Sequence, residues 1–261
     1  MKKLITLLMV AVLSLSMAFA MTGCKDKSSD IGVGDGKLVI GYTIYPPMSY
    51  FDESTNEFVG FDTELAIKVC EILKVEYEFK EIVWSNKVMS LDSKEIDVVW
   101  NGMTITDELK EAMSITSPYL DNKQVIVCKK ADAAKFSATA NKKGLDADGL
   151  TILAEAGSAG DKTVTALGLT PTKVTAQKDT LLEVKSGTNK VAVIDKLMAQ
   201  VLVGENSANP DLTFVDVDFE LEEFGIGLRK NDIATTLAIE GALEQLKADG
   251  TYAELLAKYF G

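Results

Sequence analysis

Residues 96–107 read IDVVWNGMTITD. An apolar run from Ile96 to Trp100 stops at Asn101-Gly102, and a polar stretch follows from which a short helix starts near Asp107. This is the pattern of a buried strand that ends in a turn and feeds a helix. Outward from it the same alternation recurs. Toward the N-terminus, 37–42 is a strand leading to a Tyr45-Pro46-Pro47 turn. A helix over 62–73 carries Phe61, Leu65, Val69, Ile72 and Leu73 at helical spacing, with Asp62 placed as its cap; 77–82 is a strand and 85–91 a short helix. Toward the C-terminus, 124–127 is a strand, 131–149 an Ala/Lys/Asp-rich stretch of helix and loops, and 150–155 a strand running into Ala156-Gly157-Ser158-Ala159-Gly160. Strands over 191–194, 212–217 and 224–228 follow, the first ending at Asp195, then a helix over 232–248 and a last one from Thr251. Strands alternating with helices imply an α/β fold with mainly parallel sheets, arranged as two units side by side.

Composition removes several chemistries. The 261 residues include 27 basic and 39 acidic side chains, giving a net charge of −12, with no histidine and a single arginine, Arg229. Without imidazole there is no Ser-His-Asp machinery, no HExxH zinc helix and no histidine-containing metal site. Neither a metal nor a cofactor is expected. An acidic chain without a basic cluster is a poor partner for nucleic acid, whose phosphates require concentrated Lys and Arg.

Lys2-Lys3, an apolar run from Leu4 to Ala20, and Met21-Thr22-Gly23-Cys24 have the layout of an export signal. The end of the run resembles the bacterial lipobox, which implies cleavage after residue 23 and diacylation of Cys24. Removal of 1–23 takes two lysines with it, so the net charge deepens from −12 to −14. The polar, Gly/Ser-rich stretch from Lys25 to Gly36 reads as a flexible tether, making 24–36 a lipidated cysteine and its linker. Two acyl chains suffice for stable attachment, so the expected location is the outer face of the cytoplasmic membrane, anchored without spanning it. Cys70 and Cys128 lie in apolar settings and read as small buried side chains, a disulfide between them being the alternative.

Gly41-Tyr42-Thr43-Ile44-Tyr45-Pro46-Pro47-Met48, Gly60-Phe61-Asp62-Thr63-Glu64-Leu65-Ala66, Ile96-Asp97, Asn101-Gly102-Met103-Thr104-Ile105-Thr106 and Asp249-Gly250-Thr251-Tyr252 occur in this order. Together they resemble the polar amino-acid family of solute-binding proteins that serve ABC importers. The resemblance implies a two-lobed periplasmic-binding-protein type II fold closing over a ligand, most often as a monomer, with an ABC permease as partner. By position, the large lobe would be 37–118 and 225–261, the small lobe 124–219, and the hinge 119–123 and 220–224. It also implies ligand roles for particular residues. Asn101, Gly102 and Thr104 would receive a carboxylate from one lobe, and Ser158 and Ala159, in the Gly157–Gly160 turn, from the other. Asp195 would take the α-ammonium, and Tyr45 and Trp84 would sandwich the ligand side chain. Plainer readings stand beside these: Asp195 as a helix cap, Tyr45 and Trp84 as core aromatics, the glycine turns as connections. Trp100 reads as core and Lys87 as a solvated helix residue.

One position departs from the family pattern. Where the resemblance implies an arginine that clamps the ligand carboxylate, the sequence has Asp107-Glu108-Leu109. Leu109 cannot hold a carboxylate, and the adjacent Lys110 is turned about 100° around the helix and lacks the planar two-pronged donor geometry. Glu155, just before the Gly157 turn, adds a second carboxylate to Asp195. Two carboxylates, two aromatics and no arginine suit a cationic ligand: a basic amino acid, an amine or a quaternary ammonium compound. The expected function is capture of a small polar ligand, an amino acid or related amine, for import. The rival from another class is a dehydratase acting on cyclohexadienyl amino acids, with Glu155 or Asp195 as its acid–base group.

Overall fold

Strand β1 (Lys37–Tyr42) alternates side chains toward two layers, so Leu38 and Ile40 are buried while Lys37 and Val39 are only partly so. In this computed structural model the described residues are 36–136 and 141–261; the expected export signal, Cys24 and nearly all of the tether lie outside them. β1 pairs in parallel with β4 (Glu76–Glu81) on one side and β5 (Val98–Thr104) on the other. The connection from β1 passes a small hairpin, β2 (Tyr50–Phe51) with β3 (Phe58–Val59), and then helix α1 (Phe61–Leu73). After β4 come a 3-10 turn (Trp84–Asn86) and α2 (Lys87–Asp92). After β5 come α3 (Asp107–Ala112) and β6 (Met113–Ile115).

Strand β7 (Leu120–Lys129) then leads into the second half: β8 (Thr151–Glu155), α4 (Ala159–Ala166), β9 (Thr172–Val174), α5 (Asp179–Ser186), β10 (Lys190–Asp195), α6 (Lys196–Leu202) and β11 (Leu212–Val215). The chain returns through β12 (Leu221–Arg229) and ends in α7 (Ile233–Ala248) and α8 (Thr251–Phe260), which pack on α1 and on each other.

The strand order is β4-β1-β5-β12-β7-β10-β8-β9, with β6 on β12 and β11 on β7. Two lobes therefore meet along one ladder, from Leu221 opposite Lys123 to Phe224 opposite Leu120. The sheets are mixed, a correction to the mainly parallel expectation. β12 runs antiparallel to β5 and β7 antiparallel to β10, because each crossing strand enters its lobe against the direction of the βαβ units. Other elements also differ from the sequence reading. The helices α4, α5 and α6 and the strand β9 were not separately legible. Residues 131–149 hold a single short 3-10 segment (Lys130–Lys135) among loops and turns where they are described. Cys70 and Cys128 are both buried and unpaired, one on α1 and the other on β7.

Candidate functional site

The inner ends of β1, β5, β8 and β10 face a narrow cleft between the lobes. Its lining includes all ten positions singled out above: Tyr45, Trp84, Asn101, Gly102, Thr104, Leu109, Glu155, Ser158, Ala159 and Asp195. Thr43, Lys87, Met103, Thr106, Gly157, Lys162 and Gln177 join them. Of these, Lys87 was read as solvated and Gln177 carried no local signal; its place is set by the long-range pairing of the small lobe.

On the large-lobe wall, Asn101 to Thr104 form the end of strand β5, not a turn after it: Thr104 is opposite Phe224 and Met103 opposite Gly225. Apolar periodicity stops at Trp100, but the ladder to β12 continues. Gly102 has φ +58°, and a Cβ there would lie 2.7 Å from Tyr45 Cε1 and 3.0 Å from Phe224 Cε2. Only glycine fits. The Gly102 N–H donates to Asp62 Oδ2 at 2.7 Å, and the Tyr119 hydroxyl donates to the same oxygen at 2.9 Å. That amide is thus occupied within the protein, which removes it as a receiver for a ligand carboxylate. Asp62 is also not the cap of α1, whose N-cap position is Gly60. Burial pushes the Asp62 carboxyl up to about 7, against the pull of its two donors. The Thr104 hydroxyl is likewise engaged, donating to Glu222 Oε2 at 3.2 Å. Asn101 donates through Nδ2 to Thr43 Oγ1 at 2.7 Å, while its Oδ1 is buried with no partner.

On the small-lobe wall, Ser158 caps α4, its Oγ accepting from the Asp161 N–H at 3.2 Å, and Asp161 Oδ2 in turn accepts from the Gly157 N–H at 2.9 Å. The next two amides, of Ala159 and Gly160, begin the helix and have no acceptor within it. Gly160 seats the helix closely on β10, since a Cβ there would lie 2.3 Å from the Val193 carbonyl oxygen.

Asp195 occupies the N-cap position of α6, yet its side chain makes no capping bond. Its Oδ1 instead accepts from Asn122 Nδ2 and from Gln124 Nε2, the latter at 3.0 Å, and its Oδ2 accepts from Gln177 Nε2 at 2.7 Å. The capping reading fails because these amides hold the carboxylate toward the hinge. Asn122 and Gln124 also donate to Glu222 Oε2, at 3.1 and 2.9 Å. Burial raises both acids, Glu222 to about 7 with Asp195 as a further cause; for Asp195 the amide donors oppose the shift. Glu155 is buried at the end of β8 with Oε1 unpartnered, and its carboxyl is raised to about 8 by burial first and by Asp195 next. These carboxyls retain their protons because burial disfavours the charged form.

The remaining lining is aromatic, apolar and cationic. Tyr45 is buried over Gly102, its hydroxyl unpartnered. Lys87, contrary to the solvated reading, is 6 % exposed and its Nζ lies 4.6 Å from the Trp84 ring centroid. It donates to the Gly157 carbonyl at 3.1 Å and the Trp84 carbonyl at 3.3 Å, so it reaches from α2 across to the small lobe. Burial, and then neighbouring Lys162, lower the ammonium to about 8. Lys162 itself pairs with Glu108 across the cleft mouth. Leu109 is buried beside Trp84 and Met103, so its apolar role and its place in the cleft coexist. Lys110 pairs with Asp107 at 3.3 Å on an exposed helix face, away from the cleft lining.

Comparison with known proteins agrees with this architecture. Residues 38–261 match the bacterial extracellular solute-binding proteins, family 3, and the chain belongs to that family. It is 30% identical to a probable histidine-binding protein of Neisseria gonorrhoeae, covering 93% of this chain and 91% of that one. It is also 30% identical to the arginine-binding extracellular protein ArtP of Bacillus subtilis (strain 168), over 100% and 98% of the two chains. A crystal structure of a mutant of ArgBP from T. maritima superposes with a TM-score of 0.76 at 32% identity, covering 86% of this chain and 95% of that chain. The protein is thus a two-lobed solute-binding protein, and no helix among its described residues is long and apolar enough to cross a membrane.

Proposed function

We propose that this protein captures an amino acid with a cationic side chain, or a closely related amine, and delivers it to an ABC permease. The observation that carries the reading is the pair of buried carboxylates, Glu155 and Asp195, lining a cleft in which Leu109 stands where the family pattern has an arginine. Asp195 and the free Asn101 Oδ1 receive the ligand's ammonium. Glu155, Tyr45 and Trp84 receive its cationic side chain, the rings offering their negative faces. Ser158 and Ala159 mark the helix end that faces the carboxylate. Relatives named for arginine and histidine support this reading, although others are named for L-cystine.

The lobes 37–118 with 225–261, and 124–219, move as bodies about the strands at 119–123 and 220–224, and ligand shifts them toward closure. The protein acts as a monomer, held by acylated Cys24 at the outer face of the cytoplasmic membrane, and it binds its ligand without converting it. Calorimetric titration with L-arginine, L-lysine, L-histidine, agmatine, choline, L-glutamate and L-alanine tests the ligand class. Tight binding among the cationic ligands is expected; preference for glutamate or alanine with indifference to cations overturns the proposal. Ligand recovered chemically unchanged supports binding, and its loss with appearance of a product would favour the dehydratase. Replacing Cys24 by Ala is expected to release the exported protein from membranes, and full retention would refute the acyl anchor.

A further inference from the structure

A ligand that carries an α-carboxylate needs a positive charge in the cleft, and Leu109 does not provide one. Two lysines line the cleft, Lys87 and Lys162. Lys162 is already paired with Glu108. Lys87 has no ion pair among the described residues: its ammonium meets two carbonyl oxygens, of Gly157 and Trp84, and the face of the Trp84 ring. An ammonium has three N–H donors, so one remains without an oxygen acceptor. The Gly157 carbonyl places Nζ at the turn that opens α4, where the first-turn amides of Ala159 and Gly160 have no acceptor within the helix. A buried ammonium short of one acceptor, beside a helix N-terminal turn, is a site built for an anionic oxygen.

We infer that Lys87 is the carboxylate anchor of this protein, taking over from α2 the charge that the family pattern supplies from α3 at the position of Leu109. The assignment rests on the proposed capture of an amino acid. It differs from an arginine clamp in a testable way: a lysine is a point charge on a flexible stem, so it holds a carboxylate without the two parallel bonds of a guanidinium. Because Nζ is bonded to Gly157 across the cleft, carboxylate binding and the contact between lobes run through the same group.

The test compares L-arginine with agmatine, which is the same molecule without the carboxylate, and L-lysine with cadaverine, by calorimetry on the wild type and on K87M and K87R. Loss of a charge-assisted bond predicts that K87M binds the amino acids at least about tenfold more weakly, while its affinity for the amines is unchanged or tighter. K87R recovers part of the loss. The amines report whether K87M keeps a folded cleft, so a general defect is distinguished from loss of the anchor. Equal affinity of K87M and wild type for the amino acids overturns the inference, as does a wild type that binds amines as tightly as the corresponding amino acids. If neutral amino acids are the wild-type ligands and K87M loses them, the anchor stands and the cationic reading falls. Binding of none of these amino acids by the wild type overturns both.

Discussion

Glu155 shows how burial of a single carboxyl makes stability depend on pH. Its carboxyl is raised to about 8 because burial and the neighbouring Asp195 disfavour its charge. Glu222 and Asp62 are each raised to about 7. A carboxyl with a raised folded value binds more protons folded than unfolded, so its contribution to stability is greatest at low pH. It is lost as the pH rises from the ordinary carboxylate range, near 4.5 for Glu155, through that folded value. The melting temperature of the ligand-free protein is therefore expected to fall between about pH 5 and pH 8. Lys87, lowered to about 8 from 10.5, acts with opposite sign and only above that window. Glu155→Gln should flatten the decline and weaken a cationic ligand by about tenfold or more. Melting curves across pH with paired titrations check both; an unchanged slope would remove Glu155 as its source. The residue types at Glu155 and Asp195 could be read from the sequence. Their shared surroundings could not, because Asn122, Gln124 and Gln177 reach Asp195 from 71–73 and 18 residues away.

At the scale of elements, α4 carries the small-lobe side of the site, and its position depends on two local features. Ser158 caps it, a bond whose removal typically costs about 1 kcal/mol. Gly160 allows it to sit against the Val193 carbonyl, where a methyl group would have to force the helix outward. Gly160→Ala is expected to weaken ligand binding more than Ser158→Ala does, because it displaces the first-turn amides as well as destabilising the helix. Comparison of affinity and melting temperature for the two variants tests this; a Gly160→Ala protein that binds normally would show that the amides are not used. The Gly-Ser-Ala-Gly segment was legible as a glycine turn after a strand, whereas the eight-residue helix behind it was not. Its apolar positions are too few to give a period, and packing on β8 and β10 decides its conformation.

For the whole molecule, the ladder between β7 and β12 is the continuous strand connection between the lobes, and other links cross the cleft: Lys87 to Gly157 and Lys162 to Glu108. The exposed ion pair contributes little, at most about 1 kcal/mol. The buried lysine is thus expected to hold the two sides of the cleft together more than this exposed pair does. Small-angle scattering is expected to show a smaller radius of gyration on saturation with L-arginine. At 100 times its dissociation constant the ligand should add about 2.7 kcal/mol of stability. For a chain of this size that is a rise of about 5–10 °C in melting temperature. Saturation without compaction would refute closure about this hinge.

Apolar periodicity and Gly and Asn stops were enough to determine an α/β chain, since these depend on local patterning, while the residues that come to line the cleft were picked out by the resemblance of the ordered motifs to a known family. Only the tertiary structure decided how those residues act. It continued β5 past Trp100 by pairing it with β12, spent the Gly102 amide on Asp62, and joined the Asp195 carboxylate to Asn122, Gln124 and Gln177, which sets aside the plainer reading of that residue as a cap. It also buried Lys87 against Trp84 and Gly157. Each of those outcomes depends on a partner distant in sequence, and burial, which sets charge and hydrogen bonding, is a property of the assembled lobes.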